Sequence, residues 1–172
     1  MNRMFVKAVL AAAAVCPAAV SATGAQAATA TATARAKIVR AVTITNNTAL
    51  DFGTIARPAT GSSAIVVTAS ASATRTCGSG ALCAGAVSAA DFGLGASAGE
   101  TLTVTVPATV SLAGPSGTTA LVVTLSKSFS GTTVAMGTAT SRTVYVGGSL
   151  AVPSTATEGA YSGSFNVVAD YQ

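Results

Sequence analysis

Thr101-Leu102-Thr103-Val104-Thr105-Val106, closed by Pro107, alternates polar and apolar residues without a break. A period of two puts Leu102, Val104 and Val106 on one face and the threonines on the other, the pattern of a half-buried β-strand. Pro107 lacks the N–H that a ladder needs and ends the run. The same grammar recurs on both sides. Ala36–Thr45 reads as a strand turned by Asn46-Asn47-Thr48. Leu50–Ile55, Ala64–Ser70, Ala89–Leu94, Val110–Leu112, Leu121–Phe129, Thr143–Val146 and Leu150–Val152 are further short strands. Thr74–Cys83 reads as a hairpin tip, and Ser162–Tyr171 closes the chain. Gly, Pro, Asn and Asp stand between these runs, where turns need them. No amphipathic helical period follows residue 27.

Eight or more short antiparallel strands at this spacing predict an all-β, immunoglobulin-like or pilin-like β-sandwich. Its expected core includes Ile38, Ile44, Phe52, Phe92, Leu102, Val104, Val123, Val146, Phe165 and Val167. Composition agrees. Thr and Val fit a pleated surface, and only 8% of residues are charged.

The N-terminus reads differently. Met1–Lys7 is short and basic, Ala8–Ala22 is small and apolar, and Ala25-Gln26-Ala27 places small residues before a cut at Ala28. This is the layout of a secretory signal peptide. A cut after Ala22 and a lipoprotein anchor at Cys16 are weaker alternatives, because Val15 and Pro17 flank that cysteine poorly. The apolar run is too short and alanine-rich for a stable membrane span. The expected organisation is therefore a signal peptide over residues 1–27, an Ala/Thr leader over 28–37 and one β-sandwich over 38–172. The destination is the periplasm, the cell surface or the extracellular space.

In the mature region seven bases oppose five acids, a net charge of +2. The bases are scattered, so no nucleic-acid surface is expected. In an oxidising compartment Cys77 and Cys83 are expected to form a disulfide across a glycine-containing loop. A metal site is disfavoured with two thiols and no histidine, and no cofactor is expected. The absence of His removes Ser-His-Asp and Cys-His catalysis. Lys127 lies in an alternating strand and should face solvent. The two Asp-Phe-Gly triplets, at Asp51 and Asp91, read as strand ends: Asp bonding a nearby amide, Phe entering the core, Gly turning the chain. The expectation is a non-enzyme.

Arg40-Ala41-Val42-Thr43-Ile44-Thr45 followed by Leu50-Asp51-Phe52-Gly53-Thr54-Ile55 resembles the opening of the domain-of-unknown-function 4402 family of secreted bacterial proteins. Val146-Gly147-Gly148-Ser149-Leu150 and Gly159-Ala160-Tyr161-Ser162-Gly163-Ser164-Phe165 are similar to its later marks. The resemblance spans nearly the whole mature chain. It implies a β-sandwich and brings no catalytic residues.

A looser resemblance is to chaperone–usher pilus subunits and spore coat U-like domains. These end in a similar glycine turn, an alternating strand and a near-terminal Tyr. It implies assembly by strand addition, in a homo- or hetero-oligomer, with a periplasmic chaperone and usher as partners. The residues that would serve are Ile38, Val39, Val42, Phe165, Val167 and Tyr171. Alanine buries little area, so Ile38 and Val39, which follow the leader, would have to contribute the apolar contact, or the segment is a flexible leader. Two functions follow as expectations: a fimbrial-type structural or adhesive subunit, or a self-contained secreted domain that binds carbohydrate or protein.

Overall fold

The computed structural model describes residues 27–172; residues 1–26, which hold most of the expected signal peptide including Ala25, lie outside the described residues. Residues 27–36 are exposed and carry no regular secondary structure. The compact body runs from Lys37 to Gln172. Its described residues form no helix, and its twelve strands pair antiparallel throughout.

The frame is one long strand, β11 (Ser141–Pro153). Its first half, Ser141–Val146, pairs with β6 (Ala90–Gly95), which in turn holds the edge strand β1 (Thr43–Thr48). Its second half, Gly148–Pro153, pairs with β3 (Ser62–Val67), which holds β4 (Arg75–Cys77). On the opposite edge, Val146–Leu150 pairs with β9 (Leu121–Lys127), followed by β8 (Thr109–Leu112). Gly147 and Gly148 sit where β6 gives way to β3 as neighbour. A side chain at Gly147 would collide with the backbone at Val67–Ala69, so the close crossing of β11 and β3 requires glycine there.

A second sheet packs across the β6 half of this frame. It consists of β10 (Thr133–Ala135), β7 (Thr101–Thr105) and β12 (Val168–Tyr171). Between the sheets lies a first core of Phe92, Leu94, Leu102, Val104, Met136, Val144 and Val146. A second core, over the β3 half, holds Phe52, Ile65, Val67, Val110, Leu121, Val123, Leu150 and Val152. Each fully buried side chain of this size contributes roughly 1.5–3 kcal/mol. Among the described residues, the sheet that covers this second core is the short pair β2 (Thr54–Ala56) and β5 (Leu82–Ala84), helped by the chain from Ala156 to Phe165.

The two Asp-Phe-Gly triplets supply one phenylalanine to each core, by different local structures. At the first, the Asp51 carboxylate accepts the Gly53 N–H at 2.7 Å, Phe52 is buried, and Gly53 turns the chain at φ 69°. This is the expected strand end. The second lies inside β6, where Asp91 accepts the Asn47 amide at 3.2 Å and Gly93 continues the strand. Pairing on both sides with β1 and β11 holds it extended.

Other expectations are corrected. Asn46-Asn47-Thr48 does not turn the chain. It completes β1 through a bulge, with the Asn46 amide bonding the Thr48 carbonyl at 2.9 Å. Ile38 and Ile44 are exposed, not core, because residues 37–42 precede the first ladder and β1 is an edge. The 74–83 segment is no hairpin: β4 pairs with β3, and β5 with β2. Thr143–Val146 and Leu150–Val152 are one continuous strand.

Candidate functional site

The second core is only partly roofed. Above it runs an open groove of about 1230 Å³. Leu121, Val123, Leu150 and Val152 form its floor with Val110 and Leu112 of β8. Leu50–Ile55 forms one flank and Tyr161–Phe165 the other. Small-molecule pockets usually enclose about 300–1,000 Å³ and hide most of their ligand. This groove is larger and open.

Its flanks carry backbone groups without ladder partners. After the bridge between Ser162 and Ala113, residues 163–167 run to β12 with no strand partner among the described residues. Side chains still alternate along this stretch. Phe165 and Val167 are half-buried against the first core, while Ser164 and Asn166 face solvent. Phe165 touches both cores and meets Phe92 edge-to-face at 6.1 Å between centroids. On the other flank β2 pairs, among the described residues, with β5 on one edge and with no strand on the other. Unpaired N–H and C=O groups beside an apolar floor are a template for another strand.

Covalent and polar ties fix that second flank. Cys77 and Cys83 form the expected disulfide, with Cα atoms 6.4 Å apart. Arg75 donates from Nη1 to the carbonyls of Phe52, at 2.6 Å, and Ala84, at 2.9 Å, and from Nη2 to that of Gly85, at 3.3 Å. One guanidinium thus ties the first Asp-Phe-Gly turn to β5. The floor is apolar and the rim is polar. Arg57 lies 3.8 Å from Glu158, and the exposed Asp51 also lines the groove. An exposed pair at that distance adds little stability.

A family model described as Domain of unknown function (DUF4402) matches residues 42–171. The chain belongs to this family. The match begins at Val42 and ends at Tyr171, so the DUF4402 domain comprises both cores, the groove and β12. The leader lies before it. No curated protein and no solved structure matches the chain.

The sequence-stated residues separate into two places. Phe165 lines the groove, and Val167 packs against the first core. Tyr171 stands at the far end of the last strand, where its hydroxyl donates to the Arg40 carbonyl at 2.6 Å and accepts the Ser97 N–H at 3.0 Å. Val42 packs on the first core. Ile38 (96% exposed) and Val39 touch neither core. Ala27 and Ala28 are exposed and unstructured. Sequence reading did not single out the floor residues Val110, Leu112 and Leu150 as a site. Alternation marks them as inward-facing but cannot say which part of a sheet lacks a cover.

Proposed function

We propose that this DUF4402 protein is an exported structural or adhesive surface subunit that assembles by accepting a β-strand in its groove. The observation that carries the reading is an apolar floor bordered on both flanks by backbone without ladder partners. An added strand would bury its inward side chains on Leu121, Val123, Leu150 and Val152 and satisfy the backbone at 163–167. The partner is another subunit of the same or a related kind. A periplasmic chaperone lending a strand before assembly, and an usher, are the further partners this reading calls for. The role is non-catalytic: Asp51 and Asp91 hold their own backbone turn and strand pair rather than facing one another across the groove.

The test is the oligomeric state of the mature protein beside Leu112→Lys, a half-buried floor position where the ammonium can still reach water. The wild type should form SDS-resistant multimers, and the variant should keep its circular dichroism but remain monomeric. Two equally stable monomers would favour a self-contained binding domain instead.

A further inference from the structure

The face of the large sheet turned away from the groove carries a separate hollow. Strand register lines up three positions across it: Thr48 of β1 opposite Asp91 of β6, and Asp91 opposite Tyr145 of β11. Their neighbours Phe92, Val144 and Val146 are buried in the first core, so alternation turns Asp91 and Tyr145 outward. Two loops wall this row in. The turn from β3 to β4 starts over Gly147, two residues from Tyr145 on the same outer face, where a Cβ would strike the backbone at Val67–Ala69. Thr68 holds that turn closed: its N–H donates to the Thr74 carbonyl at 3.0 Å, and its hydroxyl accepts the Thr74 N–H at 2.9 Å. The stretch before β6 is held by the Asp51–Ser88 backbone bridge and by the Ser88 hydroxyl, which donates to the Ala49 carbonyl at 2.7 Å. The hollow between these walls has a volume of about 110 Å³ and shares no lining residue with the groove.

Its chemistry narrows the ligand. Thr48, Ser70, Ser88 and Tyr145 bring hydroxyls, which both donate and accept, and alanines of the two loops bring small apolar surface. Asp91 is half-buried and is the charged member of the lining. One of its carboxylate oxygens accepts the Asn47 amide at 3.2 Å. Among the described residues the other oxygen has no donor, and no basic side chain pairs with it. A partly desolvated carboxylate oxygen in that state takes a donor from a ligand or from water. An anion would meet this charge with no cation in the lining. A calcium ion favours several carboxylates, and the lining has one. A sugar diol supplies O–H donors to Asp91, exchanges hydrogen bonds with the Ser and Thr hydroxyls, and rests its C–H groups on the alanines. The volume suits a single ring; pockets for drug-sized ligands enclose about 300–1,000 Å³.

We propose that this hollow binds one ring of a neutral glycan, with Asp91 accepting hydrogen bonds from its hydroxyls. The outer face gives a longer glycan room to continue. Beyond Asp91, Gly93 lies between Thr45 and Thr143, and Gly95 lies between Thr43 and Ser141. This low, hydroxyl-edged strip runs for roughly 13 Å, four residues of strand. The site does not depend on the groove taking a strand, and it gives the adhesive side of the function a ligand class.

The test is amide NMR on Leu112→Lys, whose altered residue lies in the groove and not in the hollow. The probes are lactose, maltose, cellobiose and mannobiose, with calcium chloride and ethylammonium chloride beside them. At least one disaccharide should shift the amides of Ser70–Ala73, Ser88, Asp91 and Tyr145 saturably, with a Kd of about 1 mM. Wild type should bind the same sugar in saturation-transfer NMR, whatever its assembly state. Asp91→Asn keeps an oxygen for Asn47 and should weaken binding about tenfold or more. Ala71→Phe, on the exposed turn, fills the hollow and should abolish binding at an unchanged Tm. Three results overturn the inference: no saturable shift with any of the four sugars, shifts that map to Leu150 and Val152 in the groove, or affinity unchanged in both hollow variants. A response of the Asp91 amide to calcium or ethylammonium and to no sugar makes this a cation site and overturns it too.

Discussion

Removing the disulfide, as Cys77→Ser/Cys83→Ser, should weaken the flank of the groove before it weakens the sheets. The bridge closes a loop of seven residues counting both cysteines, since the sequence separation is 6. Loop-closure entropy for that length gives about 2 kcal/mol at 25 °C, below the ~3 kcal/mol of a fifteen-residue loop. For a domain of this size the loss corresponds to a fall in Tm of roughly 5–10 °C. The loss has a defined location. Cys77 ends β4, Cys83 is the middle of β5, and β5 is the ladder partner of β2 among the described residues. Thermal unfolding by circular dichroism gives the total. Amide exchange gives the distribution: faster at Thr54–Ala56 and Leu82–Ala84, little changed at Leu94, Val104 and Val146. An unchanged Tm would refute the reasoning, because Arg75 and the β2–β5 pairing alone would then hold the flank. Uniformly faster exchange would refute its local character.

Three other substitutions probe separate parts of the account. Arg75→Met keeps the stem but removes three hydrogen bonds to backbone carbonyls, of which the one to Phe52 is part-buried and the other two are exposed, so it should cost about 1–2 kcal/mol in urea unfolding, less if Cys77–Cys83 already holds β5. Gly147→Ala should lower stability by about 2–4 kcal/mol, since its Cβ meets backbone rather than a movable side chain; a neutral effect would mean that β11 and β3 cross less closely. Tyr171→Phe loses one donated and one accepted hydrogen bond and should cost about 1–2 kcal/mol, with faster exchange at Ser97 and no change at the groove.

Much of the fold is legible in period and punctuation. Thr101–Val106 alternates cleanly and became a strand with Leu102 and Val104 inward, while Ala89–Leu94 and Leu121–Phe129 became strands that point Phe92, Leu94, Leu121 and Val123 inward and leave Val122 exposed. The misreadings occur where pairing overrides local preference. Asn46-Asn47-Thr48 has turn chemistry but lies in β1, because β6 offers it a ladder and a bulge absorbs the mismatch. Gly147-Gly148 looks like a break but is the flat crossing that lets one strand serve two neighbours. Thr133–Ala135 is too short to announce itself, yet Val134 and Met136 are buried.

The site was half legible. Phe165, Val167 and the alternating leader carry a sequence signal, and so do the two cysteines. The groove does not. Its floor residues look the same in sequence as core residues beneath a complete roof. Only the topology shows that the three-stranded sheet covers one half of the frame and that a two-stranded pair is left to cover the other.

The most direct test of the central claim is amide hydrogen exchange at Gly163–Val167 and Thr54–Ala56 in the multimer, compared with monomeric Leu112→Lys. If a strand fills the groove, these amides should slow by roughly a hundredfold or more on assembly while those of β1 stay as they were. If they exchange equally fast in both states, no strand joins the groove and the assembly reading is wrong.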